Sequence, residues 1–133
     1  RFASIPLDLL DWLEGVDTLH VCDACQTGQM PGTVTRIDLS TASNVQPDWD
    51  RFDGLHWRST GSHDFGLVAT LQLANRVGKA PERMLIWGIE AKCFEIGHDL
   101  SPTLASELPQ IVRRLRVAIT NDEAEAWNQR EAK

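Results

Sequence analysis

The chain has 133 residues, 42% hydrophobic and 24% charged, the proportions of one globular domain with a full core. Its formal net charge is −6 and its basic residues cluster only at Arg113, Arg114 and Arg116, so neither nucleic acid nor an anionic membrane is an expected partner. No apolar run approaches the ~20 residues of a membrane span, no basic start followed by an apolar block marks a signal peptide, and the odd set of Cys22, Cys25 and Cys93 fits a reducing compartment, so the expected location is the cytoplasm.

In chain order, residues 4–15 read as a short helix. Pro6 suits its first turn, Gly15 its stop, and Leu9, Leu10, Leu13 and Val16 share one face. Residues 18–22 then read as a buried strand that ends at Asp23. In parallel α/β sheets ligands bind beyond the carboxyl ends of strands, which makes Asp23 a candidate; the alternative is an Asp that caps the following turn. Cys22 and Cys25 spell Cys-x-x-Cys, but a Gly- and Pro-rich loop follows where a redox pair would open a helix, and no second pair exists to complete a zinc site. The cysteines therefore read as small buried residues.

Residues 33–39 alternate as a half-exposed strand, with Thr35, Ile37 and Leu39 on one face and Arg36 and Asp38 on the other. A long connection over 40–61 carries Trp49, Phe52, Leu55 and Trp57, at least two of which should anchor it to the core. Ser62 then suits an N-cap, with His63 and Asp64 in the first turn of a helix whose apolar stripe includes Leu67, Leu71 and Ala74 and which stops at Gly78. The run 84–89 is the pattern of a central parallel strand and ends in a second acid, Glu90. Ser101 and Pro102 open a last amphipathic helix along Leu104, Leu108, Ile111, Leu115 and Ala118. Pro109 predicts a kink or two helices end to end, and residues 121–133 form a polar helical tail beyond a single domain spanning 1–120.

His63 either packs at a helix start or binds a metal. A helix N-terminus disfavours imidazolium, which leaves a ring nitrogen for a metal ion at neutral pH. Glu90 is a candidate accessory acid, or a strand-end carboxylate held by nearby backbone N–H groups. No Ser-His-Asp or Cys-His nucleophile set follows from the spacing.

Taken together, the motifs resemble those of the hydrogenase maturation endopeptidases. Residues 17–34 (Asp-Thr-Leu-His-Val-Cys-Asp-Ala-Cys, then Gly and Pro-Gly-Thr-Val) resemble that family's central strand and loop. Gly61-Ser62-His63-Asp64-Phe65-Gly66-Leu67 resembles its histidine motif. Gly88-Ile89-Glu90, Phe94-Glu95 and Leu100-Ser101-Pro102 resemble its closing segment. The resemblance covers most of residues 7–119. It implies a three-layer α/β/α sandwich around a twisted, mostly parallel sheet of the phosphorylase/hydrolase-like kind. It also implies an activity: removal of the C-terminal peptide from the large-subunit precursor of nickel–iron hydrogenase once nickel is in place, the metal serving as the recognition element. The family's metal contacts map onto Asp23 and His63. Its third contact, an acid after a first strand and a Gly-Asn turn, falls before the helix on which this chain opens. The expectation is that a strand-helix-strand piece of roughly 30 residues or more precedes the chain in the native protein. Two protein ligands hold a metal loosely, so the divalent metal, nickel, is expected from the precursor, with no tightly bound cofactor. Two other readings stand beside this one: a non-catalytic binding homologue that lost the N-terminal acid, and a small-molecule α/β enzyme using Asp23 and Glu90.

Overall fold

A computed structural model describes residues 7–40, 49, 66–95 and 97–131, with the side chains of the last helix described to Asn121. The elements are α1 (Asp8–Trp12), β1 (Thr18–Cys25), β2 (Val34–Asp38), α2 (Leu67–Arg76), β3 (Arg83–Glu90) and α3 (Pro102–Glu131). The strands form one sheet in the order β1-β3-β2. β1 runs parallel to β3, with Val21 opposite Ile86 and Asp23 opposite Gly88; β2 runs antiparallel to β3, with Ile37 opposite Ile86. The described sheet is thus mixed, with the antiparallel strand at its edge, a common variation in α/β folds.

β3 is central because both its faces are apolar. Met84 and Ile86 point to one side and Leu85 and Trp87 to the other, all nearly or wholly excluded from solvent. The first side packs with Ile37, Leu39, Leu19 and Val21 of the sheet region, Leu9 of α1, and Leu67, Val68 and Leu71 of α2. Trp49 packs on this cluster too, as expected of an anchor; Phe52, Leu55 and Trp57 lie outside the described residues. The second side packs with Leu104, Ile111 and Leu115 of α3. Helices on both faces of one sheet make the three-layer α/β/α architecture that the family resemblance implies. Among the described residues no helix is long and apolar enough to cross a membrane.

Several boundaries differ from the sequence-based expectations. β1 does not stop at Cys22 but continues through Asp23 to Cys25, because its ladder with β3 continues to Cys25 opposite Glu90. α2 begins at Leu67, with Gly66 as its extended N-cap (φ −75°, ψ 175°) and no capping side chain. Ser62, His63 and Asp64 are therefore not its first turn, and they lie outside the described residues. The physical reason is visible at Gly66: an extended residue cannot continue a helix. α3 runs as one helix through Pro109 to Glu131. Proline forfeits one backbone bond there, and Leu104 before it and Ile111 and Leu115 after it dock on the same cluster. Its start is as expected, with Ser101 Oγ accepting the Leu104 N–H at 3.4 Å.

Candidate functional site

The alternation along the strands places a cross-strand row, Asp23–Gly88–Thr35, directly beyond the apolar row Val21–Ile86–Ile37 on the face that α2 covers. The sheet surface changes from hydrocarbon to polar at this row. Gly88 contributes no side chain between the two flanking residues and is itself buried. The next row pairs Cys25 with Glu90. This is the carboxyl end of the parallel pair, where α/β sheets hold their ligands.

Asp23 is exposed, and its Oδ1 accepts the Ala24 N–H at 2.8 Å, which restrains the carboxylate's orientation. Desolvation by the surrounding chain raises its pKa against the lowering effect of that hydrogen bond. A carboxylate in that condition gains more than a fully hydrated one when a cation arrives, because the cation offsets a desolvation cost already incurred.

Glu90 is 3% exposed. Its Oε1 accepts the N–H groups of Thr27 (2.9 Å) and Gly28 (3.0 Å). Its Oε2 accepts the Thr27 N–H (3.0 Å), the Thr27 hydroxyl (2.7 Å) and, at 3.8 Å, the Cys25 thiol. Burial alone would raise its pKa, but these donors outweigh burial and hold it below the ordinary glutamate range. The Thr27 and Gly28 bonds were not legible in the spacing, since Glu90 and Thr27 are 63 positions apart. The only sequence signal was an acid closing an apolar run.

All three cysteines are free, with Cys25 buried and Cys22 and Cys93 exposed, so the expectation of buried cysteines holds for Cys25 alone. Cys22 and Cys25 lie on one strand, three positions apart, and so point to opposite faces with Cα atoms roughly 10 Å from each other. A disulfide needs Cα atoms within about 7 Å, so the pair cannot close without unravelling β1. Burial pushes the Cys25 thiol up to about 11, with the charge of Glu90, its hydrogen bond and the charge of Asp23 adding to the effect. In a native thiol titration with an aromatic disulfide reagent, Cys93 and Cys22 should react and Cys25 should react only after denaturation. Rapid reaction of all three in native buffer would contradict the burial of Cys25.

On the opposite face, His20 is half-buried and stacks on Trp87, with ring centroids 6.3 Å apart and the Trp87 Nε1–H donating to its Nδ1 at 3.2 Å. The Arg36 guanidinium lies 5.7 Å from the Trp87 ring. His20 is thus a face residue of the sheet, turned away from Asp23. His63 lies outside the described residues. Among the described residues, no three His, Cys, Asp or Glu side chains converge as a metal-binding group.

Helices on both faces of a mixed sheet define an α/β domain, and Asp23 stands at the carboxyl end of its parallel pair, the end at which such sheets commonly bind ligands. Comparison with known proteins names the family. The chain belongs to the hydrogenase maturation proteases, whose family profile matches residues 4–117. The fold is similar to that of the hydrogenase maturating endopeptidase HybD from E. coli: 20% identity, TM-score 0.62, covering 87% of this chain and 66% of that one. It is equally similar to an endopeptidase from Escherichia coli solved in solution: 19% identity, TM-score 0.63, covering 88% and 67%. This chain therefore spans about two thirds of the length of those structures. No curated protein matches the chain.

Proposed function

We propose that this chain is the body of a cytoplasmic endopeptidase that removes the C-terminal peptide of a nickel–iron hydrogenase large-subunit precursor after nickel insertion. Family membership over residues 4–117 supports the reaction class. The observation that carries the site is the placement of Asp23 on the α2-covered face at the carboxyl end of β1.

The course of α2 supports a role for His63 beside Asp23. Residues 77–82 connect α2 to the start of β3, so the C-terminal end of α2 lies at the amino end of the sheet. From there the helix extends about 15 Å back over a strand of about 26 Å. Its N-terminal Leu67 and Val68 pack on the cluster of Val21 and Ile86, one row short of Asp23. His63 precedes Gly66 by three residues, a reach of roughly 10 Å. In this reading Asp23 and His63 contact the nickel that the precursor carries. A carboxylate and an imidazole are suitable donors for that ion, and the substrate's own ligands complete its shell. Asp23 then orients the metal-bearing end of the precursor at the carboxyl end of the sheet. Cleavage is confined to loaded precursor because the ion these donors contact is carried by the precursor and not by the protein.

The test is to incubate the full-length protein with nickel-loaded and nickel-free precursor and to follow precursor mass. The loaded form should lose its C-terminal peptide and the nickel-free form should stay intact. Equal cutting of both would overturn the metal-guided reading, and cutting of neither would overturn the endopeptidase reading.

A further inference from the structure

We propose that Glu90 is a positioning residue for the site built on Asp23: it fastens both limbs of the loop that follows β1 and so holds the carboxyl end of that strand in place. The loop spans residues 26–33, between β1 and β2. Its outgoing limb is tied to the Glu90 carboxylate through the Thr27 N–H, the Thr27 hydroxyl and the Gly28 N–H. Its returning limb is tied to the Glu90 backbone: the Gly32 N–H donates to the Glu90 carbonyl at 2.9 Å, and the Glu90 N–H donates to the Thr33 carbonyl at 2.9 Å. The next residue continues the pattern, with the Ala91 N–H donating to the Cys25 carbonyl at 2.9 Å. Gly28 and Gly32 take φ of 86° and 92°, which lets both limbs turn toward this one residue while the tip, with Met30 at 75% exposure, stays in solvent.

The chemistry suits the task. Every loop group that meets the side chain is a donor, and an ionised carboxylate is an acceptor with room for all of them. Glu90 closes the central strand, the most buried element among the described residues, so the loop is fastened to a stiff support. Asp23 lies two positions before Cys25, in the adjoining row of the same ladder. A slackened loop frees the end of β1 and lets the Asp23 carboxylate wander. Displacements of about 1 Å at a reacting centre can cost on the order of 100-fold in rate.

The activity arm of the test rests on the endopeptidase reading; the structural arms do not. In full-length protein, Glu90→Ala should speed amide exchange at Thr27, Gly28 and Gly32 while the β1–β3 ladder around Val21 keeps its protection. It should shift the carboxyl carbon resonance of Asp23. It should lower kcat for precursor trimming about 10- to 100-fold with KM changed less than about 3-fold. Glu90→Gln keeps one acceptor oxygen, and the Thr27 hydroxyl can rotate to accept from its amide; it should restore most of kcat and move the Asp23 resonance back toward its original position. If Glu90→Ala does not fold, Glu90→Gln decides alone, through faster Gly28 exchange and a smaller Asp23 shift. Unchanged loop exchange, or an unmoved Asp23 resonance with a released loop, would overturn the proposal. If wild-type protein trims nothing, the endopeptidase reading fails while exchange and resonance still decide the role of Glu90.

Discussion

Asp23→Asn in the full-length protein should abolish trimming of the hydrogenase precursor while leaving the fold at least as stable as before. The two halves of that expectation have separate causes. Asparagine is nearly isosteric and its Oδ1 can still accept the Ala24 N–H, so the local backbone bond survives. In the proposed function, what is lost is the negative charge that meets the metal of the precursor. The direction of the stability effect follows from linkage. Desolvation raises the pKa of Asp23 in the folded chain. Above its ordinary pKa the ionised side chain therefore disfavours the folded state, and the neutral amide removes that penalty. His63→Ala should abolish trimming as well. The measurements are precursor mass after incubation and the denaturant midpoint of each variant. Normal cleavage by both variants would count decisively against the assignment. A large fall in midpoint for Asp23→Asn would instead mean that Asp23 is structural.

Ile86→Ala should produce the largest loss of stability among single truncations on the α2-covered face. Ile86 is fully buried at the middle of the central strand, between Val21 on one side and Ile37 on the other. It shares a cluster with Leu71, Met84 and Leu39, so strand neighbours and α2 surround the cavity and neither can collapse freely into it. Truncations of this kind cost about 2–5 kcal/mol, against a total of roughly 5–15 kcal/mol for an ordinary domain. Val112→Ala is the matched control. Val112 lies on the outer side of α3, 47% exposed, and its truncation should stay within about 0.5 kcal/mol. Chemical denaturation of both variants tests the pair. A loss below about 1 kcal/mol for Ile86→Ala would mean that the apolar row next to Asp23 is not tightly packed.

Much of the fold was legible in local pattern. The stripe of Leu104, Ile111 and Leu115 marked the helix that covers one face, and the unbroken run ending at Glu90 marked the central strand. Those features need only the period of a helix or the exclusion of water from a strand buried on both faces, and both are properties of neighbouring residues. Asp23 stood out as a candidate for the same reason, as a charge interrupting an apolar run. The start of α2 was misjudged because Ser62 satisfies a capping pattern that Gly66 replaces with backbone geometry alone.

By itself, then, the sequence determined which segments are buried, which faces of them are apolar, and which acids interrupt them. Tertiary structure alone decided that β2 runs antiparallel beside β3, that β1 continues past Asp23 to Cys25, and that Glu90 reaches back across the chain to Thr27 and Gly28. The physical reason is one of range. Hydrophobic periodicity is set within a few residues, whereas a backbone N–H donates to any suitable acceptor that folding brings within about 3 Å, and the sequence carries no mark of which one that is.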